Sequence, residues 1–186
     1  MSVQNNAVQA LCVFCASSDR VDEKYKKLAE ELGQFCAHAQ IRLVYGGAQE
    51  GLMGAAATAA LERGGDVIGV MPEILSSRER AHQNLTELHV TADMHQRQQK
   101  MADLADVFVI LPGGLGTLAE FFEIVTWKQI GLHQKPVLLL NAFGFWDSLL
   151  QGLDQAREEG FLYDDPGALF KIFDNLNDIK GFLSSI

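Results

Sequence analysis

The stretch Val107-Phe-Val-Ile-Leu-Pro-Gly-Gly-Leu-Gly-Thr-Leu-Ala-Glu120 limits what this chain can fold into more than any other. A short apolar, β-branched run predicts a parallel strand covered on both faces, and Pro112 with Gly113, Gly114 and Gly116 ends its ladder. The chain then enters a helix predicted over 118–130, whose first N–H groups have no partner within the helix and point at whatever the loop admits. Glycines let a ligand come close to those amides, so the predicted strand, turn and helix make an anion site. Thr117-x-x-Glu120 has two readings at this point. It is the spacing of a capping box, in which Glu120 only returns to the backbone of Thr117. It also sets a carboxylate one turn from the anion site, beside whatever the anion is attached to.

Gly114, Gly116 and Ala119 match the dinucleotide fingerprint G-x-G-x-x-G/A. That fingerprint normally occupies the first strand-helix turn and needs an acid after the next strand to hold the ribose hydroxyls. Here it lies past the middle of the chain and Asn141 stands in the acid's place, which favours a mononucleotide over nicotinamide or flavin.

Other strand-helix units fit around this one. Leu11 to Ala16 reads as a strand followed by the hydroxyl-rich loop Ser17-Ser18-Asp19, whose hydroxyls serve as caps or ligand contacts. Tyr25, Leu28, Ala29, Leu32, Phe35, Cys36 and Ala39 recur at helical spacing and give one apolar face. Ile41 to Tyr45 is a second strand, running into a second glycine loop that carries Gly46, Gly47, Gly51 and Gly54. Gly46 and Gly51 have Walker A spacing, but Leu52 and Met53 replace the lysine and hydroxyl that would grip a γ-phosphate and magnesium. Close helix-to-strand packing is the alternative use of this loop. Val67 to Met71 and Leu88 to Thr91 are further strands, and the charged run around Glu79 reads as a solvated passage. Asp93 is placed to cap a helix whose opening turns carry His95, Arg97 and Lys100. Arg97 offers a fork of donors to phosphate or ribose oxygens, or is an exposed helix arginine. His95, with no acidic partner at a readable spacing, reads as a structural histidine. The central helix is apolar all round, so it is expected to be buried against the sheet on one face and against a second subunit on the other.

Strands alternating with helices, without repeats or linkers, predict one α/β domain over residues 1–186: a doubly wound, mainly parallel sheet with helices on both faces. The 186 residues suffice for one core, and a net charge of −9 argues against nucleic acid or an anionic membrane as the main partner. No basic n-region with an apolar stretch opens the sequence, and no run reaches the about 18 apolar residues of a membrane span, so a soluble cytosolic protein is expected. Cys12, Cys15 and Cys36 are an odd set. Cys12 and Cys15 lie on opposite faces of one strand, which predicts buried thiols in place of a redox pair.

Pro112-Gly-Gly-Leu-Gly-Thr-Leu-Ala-Glu120 and Met94-His-Gln-Arg97 resemble the PGGxGTxxE and MHxRK signatures of the LONELY GUY (LOG) family of cytokinin-activating phosphoribohydrolases, a family often labelled possible lysine decarboxylases. The likeness extends over Phe14-Cys-Ala-Ser-Ser18, Val44-Tyr-Gly-Gly47, Gly51-Leu-Met-Gly54 and the stretch from Thr126 to Pro136. The resemblance implies a Rossmann-like fold and hydrolysis of the N-glycosidic bond of a nucleoside 5′-monophosphate, such as an N6-substituted adenosine monophosphate, to free base and ribose 5-phosphate. It implies a catalytic pair at Arg97 and Glu120, and nucleotide contacts at Glu79, Gln98, Gly114, Leu115, Gly116, Thr117, Leu118, Ala119, Glu120 and Thr126. With Gly113, Ser18, Gly46, Gly47 and Met53 these form the candidate substrate-binding set. Gln98 departs from the family's lysine and removes one positive charge. Ala119, Leu115 and Ala16 replace residues that are more usual there. No metal or cofactor is called for, and a homodimer is the expected assembly.

In such a cleavage positive charge builds on the ribose, so an ionised Glu120 is suited to stabilise it and to orient water toward C1′. Arg97 then fixes the sugar phosphate or assists the departing base. The rival reading is a nucleotide or molybdenum-cofactor carrier that uses the glycine loops only to bind.

Overall fold

The computed structural model describes residues 8–76 and 81–186. Seven strands, β1 (Ala10–Phe14), β2 (Arg42–Tyr45), β3 (Val67–Pro72), β4 (Glu87–Thr91), β5 (Val107–Ile110), β6 (Val137–Leu140) and β7 (Lys171–Phe173), form one sheet in the order β4-β3-β2-β1-β5-β6-β7. Every pairing is parallel. The four central strands β2, β1, β5 and β6 are almost wholly buried, which is why they read as continuous apolar runs in place of alternating ones.

Side chains alternate between two cores. Leu11 and Val13 of β1 join a cluster with helices α1 (Glu23–His38), α2 (Gly51–Leu61) and α8 (Leu176–Leu183). Cys12 and Phe14 join the opposite one, with α4 (Met94–Leu104), α5 (Leu115–Gln129) and α6 (Asp147–Glu158). This is the Rossmann-like, doubly wound arrangement. Cys15 falls with the first cluster and Cys12 with the second, and burial pushes all three thiols up, that of Cys36 to about 12. Short helices α3 (Glu73–Ser76) and α7 (Pro166–Leu169) and a 3-10 turn at Ala142–Gly144 complete the described elements. Among the described residues no helix is long and apolar enough to cross a membrane.

Boundaries differ from expectation in places that matter. The central helix begins at Leu115, three residues early, with Gly114 as its N-cap. β3 runs through Pro72, and α3 follows where a polar passage was expected. Asp22 caps α1 by accepting from the Lys24 N–H, and α1 presses against α2 so closely that a Cβ on Gly33 would lie 2.1 Å from the Ala56 carbonyl oxygen.

Residues 131–136 leave α5 through Gly131 at φ +82 and are pinned by His133. Its Nδ1 accepts from the Lys135 N–H at 3.1 Å and its Nε2 meets the Ile124 carbonyl at 2.9 Å. That pair of partners suits the neutral Nε2–H tautomer, because a proton on Nδ1 would face another N–H.

Two outcomes follow from these contacts. Gly33→Ala is expected to cost about 1–3 kcal/mol by overpacking two backbones that cannot part cheaply, seen as a lower urea midpoint with an unchanged slope. His133 is held below its ordinary 6.5 by burial first, with Lys128 and Lys135 adding and the Ile124 contact opposing. The unfolded chain therefore binds more protons just below pH 6.5, so this group's contribution to stability is lost on acidification through that window. NMR titration of the imidazole should place its midpoint below that of an unfolded peptide.

Candidate active site

The strand order reverses between β1 and β5, and ligands of such sheets bind outside the carboxyl ends of strands at that reversal. A cleft of about 410 Å³ lies there. Its walls are the loop after β1, the first turn of α2, the N-terminal half of α4 and the first turns of α5. A hydrogen bond from the Ala16 N–H to the Pro112 carbonyl ties the two loops together beneath it.

The start of α5 is open. A Cβ on Gly114 or Gly116 would meet nothing within 4 Å, so the protein's own packing does not require glycine at either position, and the space beside the first-turn amides is open. Gly113 serves a different end, since a Cβ there would lie 2.1 Å from Thr117 Oγ1, and its absence lets Thr117 bury. The second glycine loop has spent its amides. Gly51 N–H donates to Asp19 Oδ1, and the N–H groups of Leu52 and Met53 go to the Ala16 carbonyl. That donation, with Lys26 adding, holds the Asp19 carboxyl below its ordinary range. The packing alternative therefore describes this loop: Gly51 stands at φ +65 against the Ser17 backbone, and only the Met53 side chain reaches the cleft.

Arg97 is the buried centre of the site. It is 4% exposed; Nε donates to the Val70 carbonyl at 3.1 Å and Nη1 to Glu120 Oε1 at 2.5 Å, with Glu120 itself 6% exposed. The exposed-arginine reading is thus overturned, because α4 turns this residue inward over β3. So is the capping box. Thr117 lies inside the helix, and Glu120 projects from its second turn to meet α4. Gln98 is 2% exposed and donates from Nε2 to the Glu120 carbonyl at 3.4 Å, so neighbouring residues of α4 hold both ends of one residue of α5.

The cleft brings together Ser18, Met53, Arg97, Gln98, Gly114 and Leu115 with Gly116, Thr117, Ala119 and Glu120. Ser18 also accepts from the Arg20 N–H. Other candidates stand outside it. Gly46 makes room for the guanidinium, since a Cβ there would lie 2.4 Å from Arg97 Nη2. Gly47 turns the chain at φ +85 against Met71, and Leu118 packs into the core beneath α5. Thr126 is exposed, six residues beyond Glu120 on α5, and Glu79 lies outside the described residues. Asn141 is committed to the turn after β6, accepting from the Trp146 N–H and donating to Asp147, so it is engaged away from any ribose.

His95 corrects a further expectation. It is 94% exposed at the cleft wall and does have an acidic neighbour, with Nδ1 4.0 Å from Glu123 Oε1. The missed signal was spacing, because Glu123 follows Glu120 by three residues and shares its helix face.

Residues 53–181 match a family described as possible lysine decarboxylase. Over 179 residues the chain is 46% identical to the cytokinin riboside 5′-monophosphate phosphoribohydrolase of Rhodococcoides fascians, covering 96% of this chain and 89% of that protein. The chain belongs to the LONELY GUY family. Cytokinin riboside 5′-monophosphate phosphoribohydrolase LOG3 of Arabidopsis thaliana is 45% identical over 161 residues, 87% of this chain and 75% of that protein. Among solved structures, the molybdenum cofactor binding protein of Rippkaea orientalis superposes with a TM-score of 0.70 at 22% identity, over 95% of each chain. At that identity the likeness is one of fold.

Removing the Glu120 carboxylate would leave Arg97 charged and buried without its counter-ion. Glu120→Ala should therefore cost about 3–5 kcal/mol in urea denaturation, and the double variant Arg97→Met, Glu120→Leu should recover most of that loss.

Proposed function

We propose that this chain is a nucleoside 5′-monophosphate phosphoribohydrolase, acting as one domain over residues 1–186 on N6-substituted adenosine monophosphates or close relatives, to release free base and ribose 5-phosphate. The observation that carries the reading is a carboxylate gripped by a buried guanidinium one helical turn below an open set of backbone amides. The names of the relatives supply the reaction class. The 5′-phosphate sits on the amides of Gly114 to Thr117, where the positive end of α5 favours it. The ribose then lies over Glu120. As the C1′–N bond lengthens, the ionised carboxylate stabilises the cation and receives a proton from the attacking water. Arg97 is committed at Nε to Val70 and at Nη1 to Glu120, so its role is to keep that carboxylate charged and aimed.

Gln98 leaves this wall with one guanidinium, already balanced by Glu120, so the phosphate is held mainly by backbone amides. A homodimer in the cytoplasm completes the reading. Phe122 and Thr126 of α5 and Ile130 at its C-cap fall on one line at spacings of four, and Phe122, Ile130 and the following Leu132 are large apolar side chains left exposed. A second copy seated on that line would carry Thr126 into the interface, which accounts for a nucleotide contact outside its own chain's cleft.

The test is free-base release from a panel of purine and pyrimidine monophosphates, with and without N6 substituents, followed by chromatography. Wild type should release base, and Glu120→Gln should lower kcat by about 10²–10⁴ with a much smaller change in KM. Near-normal release by Glu120→Gln would remove the carboxylate from the mechanism. Binding without release by wild type would favour the carrier. Sedimentation should show a dimer that Phe122→Glu dissociates.

A further inference from the structure

Breaking a glycosidic bond to a purine asks for two things, charge stabilisation at the sugar and a proton for the departing base. The pair described above supplies the first. We propose that His95, oriented by Glu123, supplies the second by donating a proton to the base as it leaves; this rests on the phosphoribohydrolase reading.

The order of groups along α5 carries the inference. The helix rises about 1.5 Å per residue, so Glu120 lies roughly one turn beyond the open amides and Glu123 one turn beyond Glu120, all on the cleft side. A nucleotide has the same order of phosphate, sugar and base. With phosphate at the amides and C1′ over Glu120, the base reaches the level of Glu123, beside which His95 stands, in a cleft that Met94 and Leu75 also line. Met94 and Leu75 give a flat ring an apolar surface, and His95 gives it a donor.

The titratable groups that line the cleft narrow the choice. Cys15, from the loop after β1, is buried and its thiol is pushed up by burial first and by Glu120 second, so it keeps its proton. Arg97, on the same helix as His95, does not give up a proton in proteins. Glu120 faces Arg97 and is needed ionised. His95 and Glu123 remain among the described residues, and imidazole is the side chain suited to proton transfer near neutrality. Nδ1 faces Glu123 Oε1 at 4.0 Å, which leaves Nε2 to face the ligand. That separation is longer than a hydrogen bond, and the proposed proton donation requires it to tighten when the base covers the pair. One carboxylate is buried against a guanidinium and the other is solvated beside an imidazole, so two like groups three residues apart are given different tasks.

The step balances. The C1′–N9 bond breaks with its electron pair going to the base, and the proton on His95 Nε2 passes to N7. Water adds to C1′ and gives its proton to Glu120, and exchange with solvent restores His95 and Glu120. The products are neutral base and ribose 5-phosphate.

The test compares AMP with p-nitrophenyl β-ribofuranoside 5-phosphate, whose nitrophenolate leaves without a proton. Wild type should show an alkaline fall of kcat/KM on AMP; His95→Gln should lower kcat on AMP by about 10²–10⁴ and remove that fall, while its loss on the nitrophenyl substrate is at least about tenfold smaller. Glu123→Gln should lower kcat on AMP by less than His95→Gln does and, like it, spare the nitrophenyl substrate. Equal losses on both substrates, or an unchanged pH profile in His95→Gln, would overturn proton donation by His95 while leaving the role of Glu120 standing. If wild type turned over the nitrophenyl substrate alone, no base-protonating group is at work and the proposal fails. If it turned over neither, the phosphoribohydrolase reading itself fails and takes this one with it.

Discussion

A guanidinium and a carboxylate shut away from water between two helices and a sheet set the terms for the rest of this molecule. Taking both charges out of solvent costs several kcal/mol for each ion, recovered only where the pair is well aligned and its remaining donors are met. The fold meets those conditions from separate directions. Val70 within β3 offers a carbonyl to Arg97 Nε, Gly46 after β2 leaves room for the guanidinium, and Gln98 anchors the Glu120 backbone. Each comes from a different strand-helix unit, so the pair forms only once the sheet has assembled in its native order. An alternative packing that left Arg97 buried but unpaired would be penalised heavily, which ties the specificity of the fold to the same two residues that the proposed chemistry uses.

The two glycine loops show how one local motif serves opposite ends. Both end a central strand and open a helix, and in both the first-turn amides need partners. At α2 the chain itself supplies them through Asp19 and the Ala16 carbonyl, and the loop becomes a rivet holding the β1 loop to the helix. At α5 an added Cβ on Gly114 or Gly116 would meet open space. The difference lies in what faces each helix start, since the loop after β1 turns the Ala16 carbonyl to the amides of α2 and only lines the far wall of the cleft from those of α5.

Much of the frame was readable from the chain because it rests on period and punctuation. Buried parallel strands leave apolar runs, helices leave a spacing of three and four, and the two cores follow from alternation along β1. Asp93 as a cap and the opposed faces of Cys12 and Cys15 are local consequences of the same rules. What escaped depends on contacts between distant segments. Thr117 and Glu120 have the spacing of a capping box, yet the helix had already begun at Leu115, and Glu120 had a better partner 23 residues away. Gly46 reads as a ligand-loop glycine until Arg97 is seen filling the space beside it. His95 reads as having no acid because its acid is on another helix, although the repeat of glutamates at 120 and 123 was in view.

Gln98 shows how a single residue type adjusts the balance. A lysine there would bring a second cation beside Arg97, available to a phosphate but also drawn to Glu120, and competition for that carboxylate would loosen its aim. The neutral amide instead settles on the Glu120 carbonyl, where it steadies the helix turn without touching the charge. In the proposed binding mode, attraction for phosphate then falls to the amides and the partial positive charge of the α5 terminus, about half a unit and short in range. Under the proposed mechanism, that arrangement holds the ground state more weakly than a lysine would, while leaving undiminished the interaction of Glu120 with a cation that exists only as the bond breaks. Binding lost equally from substrate and transition state changes KM, and stabilisation confined to the transition state sets kcat, so the substitution acts chiefly on the former.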